Sequence, residues 1–317
     1  MANILSAEGV EPAAQTGVKG WFARRTQTEG GIAAFFVGPA LLLMVLLNIY
    51  PILHSFYVSV HVYNLKRPHR NPFVGFENYV MFLESEDFYN ALINTVIFVV
   101  VSVVAVALIG LVFSLALNEL GSGVRKWAVP LILVPWAVPY VANGLIWEWI
   151  YHSDYGVLNG LLVALGVIDK YQTWLSNPDR ALYTLVNAFV WKEVPLATVL
   201  FLTALQAIPE DLYSAAKIDQ AGASRRFWHI TLPALKLAFL LVLVYTSIIS
   251  IKTFDLVYIL TEGGPGDATA LVSWYTYVET FRNLQFGSGA SISYVIAIAT
   301  FILAIGYIKI LYRPQES

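Results

Sequence analysis

Of the chain's 317 residues, 58% are apolar and only 13% are Asp, Glu, Lys or Arg, roughly half the charged content of a typical soluble domain, so water is not its only solvent. A formal net charge of -2 provides no basic face to neutralise phosphates, which excludes a nucleic-acid partner. The absence of cysteine excludes disulfides, Cys-ligated zinc and thiol nucleophiles.

Residues 1–29 mix Gly, Ala, Thr, Gln and charges without periodicity and are expected to be a poorly ordered cytoplasmic tail. The apolar run after them starts near residue 31 and is too long for the core of a cleavable signal. A helix rises about 1.5 Å per residue and needs about 20 apolar residues to cross about 30 Å of hydrocarbon. Uncharged stretches at 30–65, 88–118, 128–147 and 283–308 meet that length. Those at 181–208 and 237–260 are as long but carry Lys192 with Glu193, and Lys252 with Asp255, in their interiors. The expected fold is an all-α membrane protein with about six transmembrane helices, making one domain over 30–317.

Positively charged loops resist translocation, so flanking Lys and Arg set the orientation. With the N-terminus inside, the cytoplasmic segments hold eleven of them: Lys19, Arg24, Arg25, Arg125, Lys126, Lys217, Arg225, Arg226, Lys236, Lys309 and Arg313. The outer loops hold six, and half of those are Lys66, Arg67 and Arg70. Both termini are therefore expected in the cytoplasm. Trp147, Trp149 and Tyr151 mark the outer end of span three and Trp127 its inner end, as aromatic residues do at headgroup depth.

The cytoplasmic loop at 208–235 reads IPEDLYSAAKIDQAGASRRFWHITLPAL. Pro209 suits the first turn of a helix, and Glu210 and Asp211 suit the positive end of its dipole. That helix is expected to run to about Asp219 and to break at Gly222, with Ser224 as N-cap of a second helix leading towards Pro233. Small residues at Ala215, Ala216, Ala221, Gly222 and Ala223 leave room for another surface to approach the backbone. An ordinary amphipathic interfacial loop fits the same residues.

The run SAAKIDQAGASRRFWHITLP at 214–233 resembles the conserved cytoplasmic loop of permease subunits of binding-protein-dependent ABC importers. Ala215, Ala216, Asp219, Ile230, Leu232 and Pro233 match that pattern. Ser214 stands where the family usually has Glu, and Gln220 where it has Gly, with Gly222 nearby. Further segments, FVGFENY at 73–79, LVPW at 133–136, DYGVLN at 154–159 and FDLVYILTEGGP at 254–265, are similar to the carbohydrate branch, the maltose-type and glycerol-phosphate-type permeases. The resemblance implies a type I importer permease of the inner membrane, coupled through this loop to two ATPase subunits that use ATP and Mg. It also implies a second, homologous permease chain and an extracytoplasmic solute-binding protein.

No G-x-x-x-x-G-K-[ST] and no H-E-x-x-H occurs, so neither a nucleotide site nor a metal centre nor an enzymatic activity is expected in this chain. The alternative class is an ion-driven carrier or channel, which would show paired broken helices in inverted repeats. No second copy of Gly263-Gly264-Pro265 is present. Ionisable groups inside spans cost about 2.5–3.5 kcal/mol each at the bilayer centre and are functional candidates. Trp191, Lys192, Glu193 and Asp255 are the expected substrate-path residues, aromatic faces and charges being what a sugar needs. Lys252 and Asp255, three apart, are expected on one helix face, where they can pair; a role in locking helices together or snorkelling fits them as well as a ligand role.

Overall fold

The computed structural model describes residues 29–67 and 69–311, so the tail read at residues 1–29 lies, except for Glu29, outside the described residues. The chain divides at Tyr57 into two units. The first holds α1 (Glu29–Met44), a π-helical turn (Val45–Ile49) and most of α2 (Tyr50–Ser59). Phe36, Leu47 and Tyr50 are exposed, and a helix apolar on all sides is one built for lipid.

The second unit begins with a hairpin in which Val62 N donates to Pro72 O and Val74 N to Val60 O, leading to the short helix α3 (Glu77–Leu83). Ser85 caps α4 (Glu86–Glu119), its hydroxyl accepting from Phe88 N, while Glu86 and Asp87 face the positive helix end. After α4 come α5 (Ser122–Ala137), α6 (Tyr140–Ile150), α7 (Val157–Ala164) and α8 (Pro178–Gln206). Helix α8 starts with Asn177 as N-cap and proline at its first position.

The helix pair α4 and α8 forms the centre of the unit, with Phe98 and Phe189 packed edge to face at 5.3 Å between centroids. A Cβ on Gly110 would lie 2.8 Å from Ala197 Cβ, so glycine permits the helices to approach this closely. Two buried hydroxyls in the core fold back onto their own helices, Thr95 onto Ala91 O and Thr198 onto Val194 O at 2.7 and 2.8 Å. That satisfies them where no water is at hand.

Four helices are long and apolar enough to cross a membrane, and two bent pairs bring the number to six. The stretch read as span three is one such pair, since α5 and α6 meet at 91°. The reason is local: Pro139 disfavours the helical region for the residue before it, and Val138 is extended at φ -67°, ψ 130°.

The loop after α8 contains α9 (Glu210–Ile218), α10 (Ala223–Arg226), a π-helical turn (Phe227–Thr231) and α11 (Leu232–Ala234). It bends by 62° into α12 (Lys236–Ile251). The stretch expected as one span at 237–260 is interrupted instead. Helix α12 ends at Ile251, and a separate helix α13 (Asp255–Leu260) follows. The chain finishes with α14 (Val272–Tyr277), a π-helical turn (Val278–Arg282) and α15 (Phe286–Leu311). The turns at 64–65 and 284–287 are hydrogen-bonded together, and Asn90 and Asn94 hold Asp267 O, so these loops share one end of the unit. The residues around Asn118 and Tyr213 share the other.

Candidate functional site

The break between α5 and α6 strips two carbonyls of their helical donors in the middle of an apolar bundle. Lys192, only 4% exposed, donates from Nζ to Trp136 O and Val138 O, each at 2.7 Å, and lies 4.5 Å from the centre of the Tyr140 ring. The ammonium thus closes the break. Glu193, 1% exposed, accepts a short hydrogen bond from the Tyr140 hydroxyl at Oε1. Its Oε2 is buried without a hydrogen bond, with Tyr245 of α12 close by. Asp255, half-buried at the start of α13, lies within electrostatic reach of Tyr140.

Glu193 is thus bonded directly to Tyr140, while α13, which begins at Asp255, packs against α6, which begins at Tyr140. Trp191 does not join them: it packs edge to face with Trp147 and borders a 330 Å³ cavity lined by Ile109, Phe113, Ile132 and Pro135. Adjacent helical residues diverge by about 100°. The expected Lys252 and Asp255 pair is absent too, because α12 stops before Lys252 and the two no longer share a helix. The single ion pair among the described residues is Arg282 with Glu262. Also among the described residues, no three His, Asp or Glu side chains gather closely enough to hold a metal ion.

Tyr140 and Tyr245 escaped the sequence reading. The legible signal was Val138-Pro139 inside an apolar stretch, which marks a broken helix whose next residue faces a cavity or a buried partner.

In the loop at 208–235, helix α9 ends in a Schellman motif: Ala221 N donates to Ala216 O and Gln220 N to Lys217 O. The left-handed residue it requires is Gln220, at φ +55°, rather than Gly222, which is extended at φ -64°, ψ 167°. The expected break at Gly222 thus falls two residues earlier. Gly222, not Ser224, is the N-cap of the second helix, which starts at Ala223. Ser214, Ala215, Asp219, Gly222 and Pro233 are exposed, while Ala216, Ile230 and Leu232 are half-buried. Tyr213 and Thr231 share a hydrogen bond of 2.9 Å across the two arms, beside a 370 Å³ cavity that also takes in Glu119, Lys217 and Arg226.

Residues 107–313 match the family described as binding-protein-dependent transport system inner membrane component. The chain belongs to that family. It is a permease of the inner membrane, and members of the family are membrane subunits rather than enzymes. This permease is 37% identical over 285 residues to the trehalose/maltose transport system permease protein MalF of Thermococcus litoralis, covering 89% of this chain and 94% of that one. It is 32% identical over 281 residues to the sulfoquinovosyl glycerol transport system permease protein SmoG of Agrobacterium fabrum, covering 88% and 90%. Its fold matches a chain of a bacterial ABC transporter involved in the import of the acidic polysaccharide alginate, with a TM-score of 0.79 at 18% identity, over 93% of this chain and 100% of that one. The expected all-α ABC importer permease fold is the observed one.

Proposed function

We propose that this permease is one transmembrane subunit of an ATP-driven carbohydrate importer, paired with a second, homologous permease. Two ATPase subunits would bind ATP and Mg, and an extracytoplasmic binding protein would deliver the sugar. The observation that carries this reading is the exposed helix-turn-helix at 208–235, which runs directly into the bent span ending at Ile251. The sugars named for the relatives support the substrate class. A third relative, the diacetylchitobiose uptake system permease protein DasB of Streptomyces coelicolor, 30% identical over 305 residues, points the same way.

In this reading both termini are cytoplasmic and the loop docks on the ATPase, with Gly222 and Ala216 forming its small-residue surface. ATP-driven closure of the ATPase pair moves the loop, span five follows, and the bundle opens outwards to take the sugar. Glu193 and Asp255 would fix hydroxyls on the path, assisted by Tyr140 and Tyr245, with Lys192 holding the break; Trp191, packed on Trp147, stands apart from it.

Purifying the complex and measuring sugar-stimulated ATP hydrolysis with the binding protein present tests the function. Stimulation by a carbohydrate and co-purification of two ATPase subunits are expected; stimulation by an ion gradient alone would defeat the reading. Glu193→Gln and Asp255→Asn are expected to weaken transport in complexes that still assemble and hydrolyse ATP. Unchanged transport in both removes them from the path.

A further inference from the structure

At the end of the bundle opposite the loop at 208–235, aromatic side chains in and beside α13 and α14 form one connected cluster. Tyr258 lies 5.5 Å from Phe254 and 5.8 Å from Tyr277, and Tyr277 lies 5.5 Å from Phe281, measured between ring centroids. Arg282 crosses this cluster, its guanidinium carbon 4.9 Å from the Trp274 ring and 6.0 Å from the Tyr277 ring, and donates to Glu262 Oε2 at 2.9 Å. That bond to Glu262 holds the guanidinium pKa above its ordinary value. Trp274 is covered, but Tyr258 and Phe281 are 41% and 60% exposed, and the Arg282 and Glu262 side chains 48% and 64%.

The supporting backbone is fixed. Gly263 sits at φ +82° against Trp274, whose Nε1 leaves no room for a Cβ, and Thr269 Oγ1 donates to Gly264 O at 2.7 Å. Lone Tyr and Trp residues at headgroup depth anchor a protein in its bilayer. Rings in mutual contact, with a paired carboxylate and guanidinium held at their edge, have a different use. In general, ring faces can cover the C–H surface of a pyranose, a carboxylate can accept from its hydroxyls, and a guanidinium can donate to its oxygens.

We propose that Tyr258, Tyr277, Glu262 and Arg282 form a second, outer subsite for one sugar unit, a waiting place before the interior cluster at Glu193. The proposal rests on the reading of this chain as a carbohydrate permease. Tyr258 is three residues beyond Asp255, about one helical turn or 5 Å along α13, so a sugar leaving the outer subsite meets the interior carboxylates next.

Saturation-transfer NMR on the nucleotide-free complex in nanodiscs, without binding protein, tests it, using a panel of disaccharides that includes trehalose and maltose. Signal is expected from the sugar C–H protons in the wild type and in Tyr258→Phe, which keeps the ring. Tyr258→Ala and Arg282→Gln are expected to weaken apparent affinity by about three- to tenfold, the range that loss of one aromatic contact or charge-assisted hydrogen bond gives. If the wild type transports one of these sugars with its binding protein but gives no saturation transfer, or if Tyr258→Ala keeps wild-type affinity, the outer subsite is wrong and the carbohydrate reading stands. If the wild-type complex transports no sugar from a panel widened to monosaccharides, glycosyl glycerols and oligosaccharides, both fall together.

Discussion

Two carbonyls without donors inside a bilayer are costly enough to account for a lysine in the middle of span four. Lys192 satisfies Trp136 O and Val138 O at once, and each left unpaired would cost about 1–3 kcal/mol. Lys192→Met keeps the length of the side chain and removes the donors. It is expected to lower the thermal unfolding midpoint of the complex and to loosen the break itself; an unchanged midpoint would show that water or lipid headgroups replace the ammonium. Gln220 presents the opposite case, a side chain where glycine would be easier. Its φ of +55° costs a non-glycine residue about 1 kcal/mol. Gln220→Gly is therefore expected to raise stability slightly and leave ATP-coupled transport intact, as thermal unfolding and transport assays can check. A drop in stability would mean that the Gln220 side chain makes a compensating contact with a partner subunit.

At the level of single elements, the loop at 208–235 and the core helices differ in the room they leave for added bulk. A Cβ on Gly222 meets nothing within 4 Å, whereas one on Gly110 meets Ala197 at 2.8 Å. Gly222→Trp is expected to give a folded, fully inserted permease whose ATP hydrolysis no longer drives transport, because the obstruction lies only on the docking side. Gly110→Ala is expected to push α4 from α8 and reduce the yield of folded protein. Normal coupling in Gly222→Trp would reduce the loop to a connector. Element existence was well written in the sequence: apolar length marked the spans, and Pro209, Glu210 and Asp211 marked the start of α9. Element ends were less legible. The cap at Gly222 instead of Ser224, the left-handed Gln220 and the early stop of α12 at Ile251 depend on competing backbone hydrogen bonds. Hydropathy does not register such bonds. The same holds for the candidate site. Glu193 and Asp255 were visible as charges in apolar surroundings. Tyr140 was not, since its meeting with Glu193 follows from a 91° bend that no helical periodicity encodes.

For the whole molecule, the count of eleven Lys and Arg on one side against six on the other predicts a topology that chemistry can read directly. The chain has no cysteine, so single Cys probes report without background. In intact cells, a membrane-impermeant thiol reagent is expected to label Cys in place of the exposed Ser176 but not Cys in place of Ser122 or Ser224, which are exposed at the other end. Labelling of the Ser224 position from outside would falsify both the orientation and the docking of the loop on an ATPase. The junction of that loop with span five has a mechanical meaning as well. Residues Ala223–Ala234 form a nearly continuous helical rod ahead of the bend at Leu235, and twelve helical residues make an arm about 18 Å long. Swinging such an arm by about 10° carries its free end through about 3 Å. If the loop docks on an ATPase as proposed, a displacement of that size at the docking surface would become a rotation of α12 about Leu235, and the permease would work as a bell crank, turning a short push at its inner face into a tilt across the bilayer.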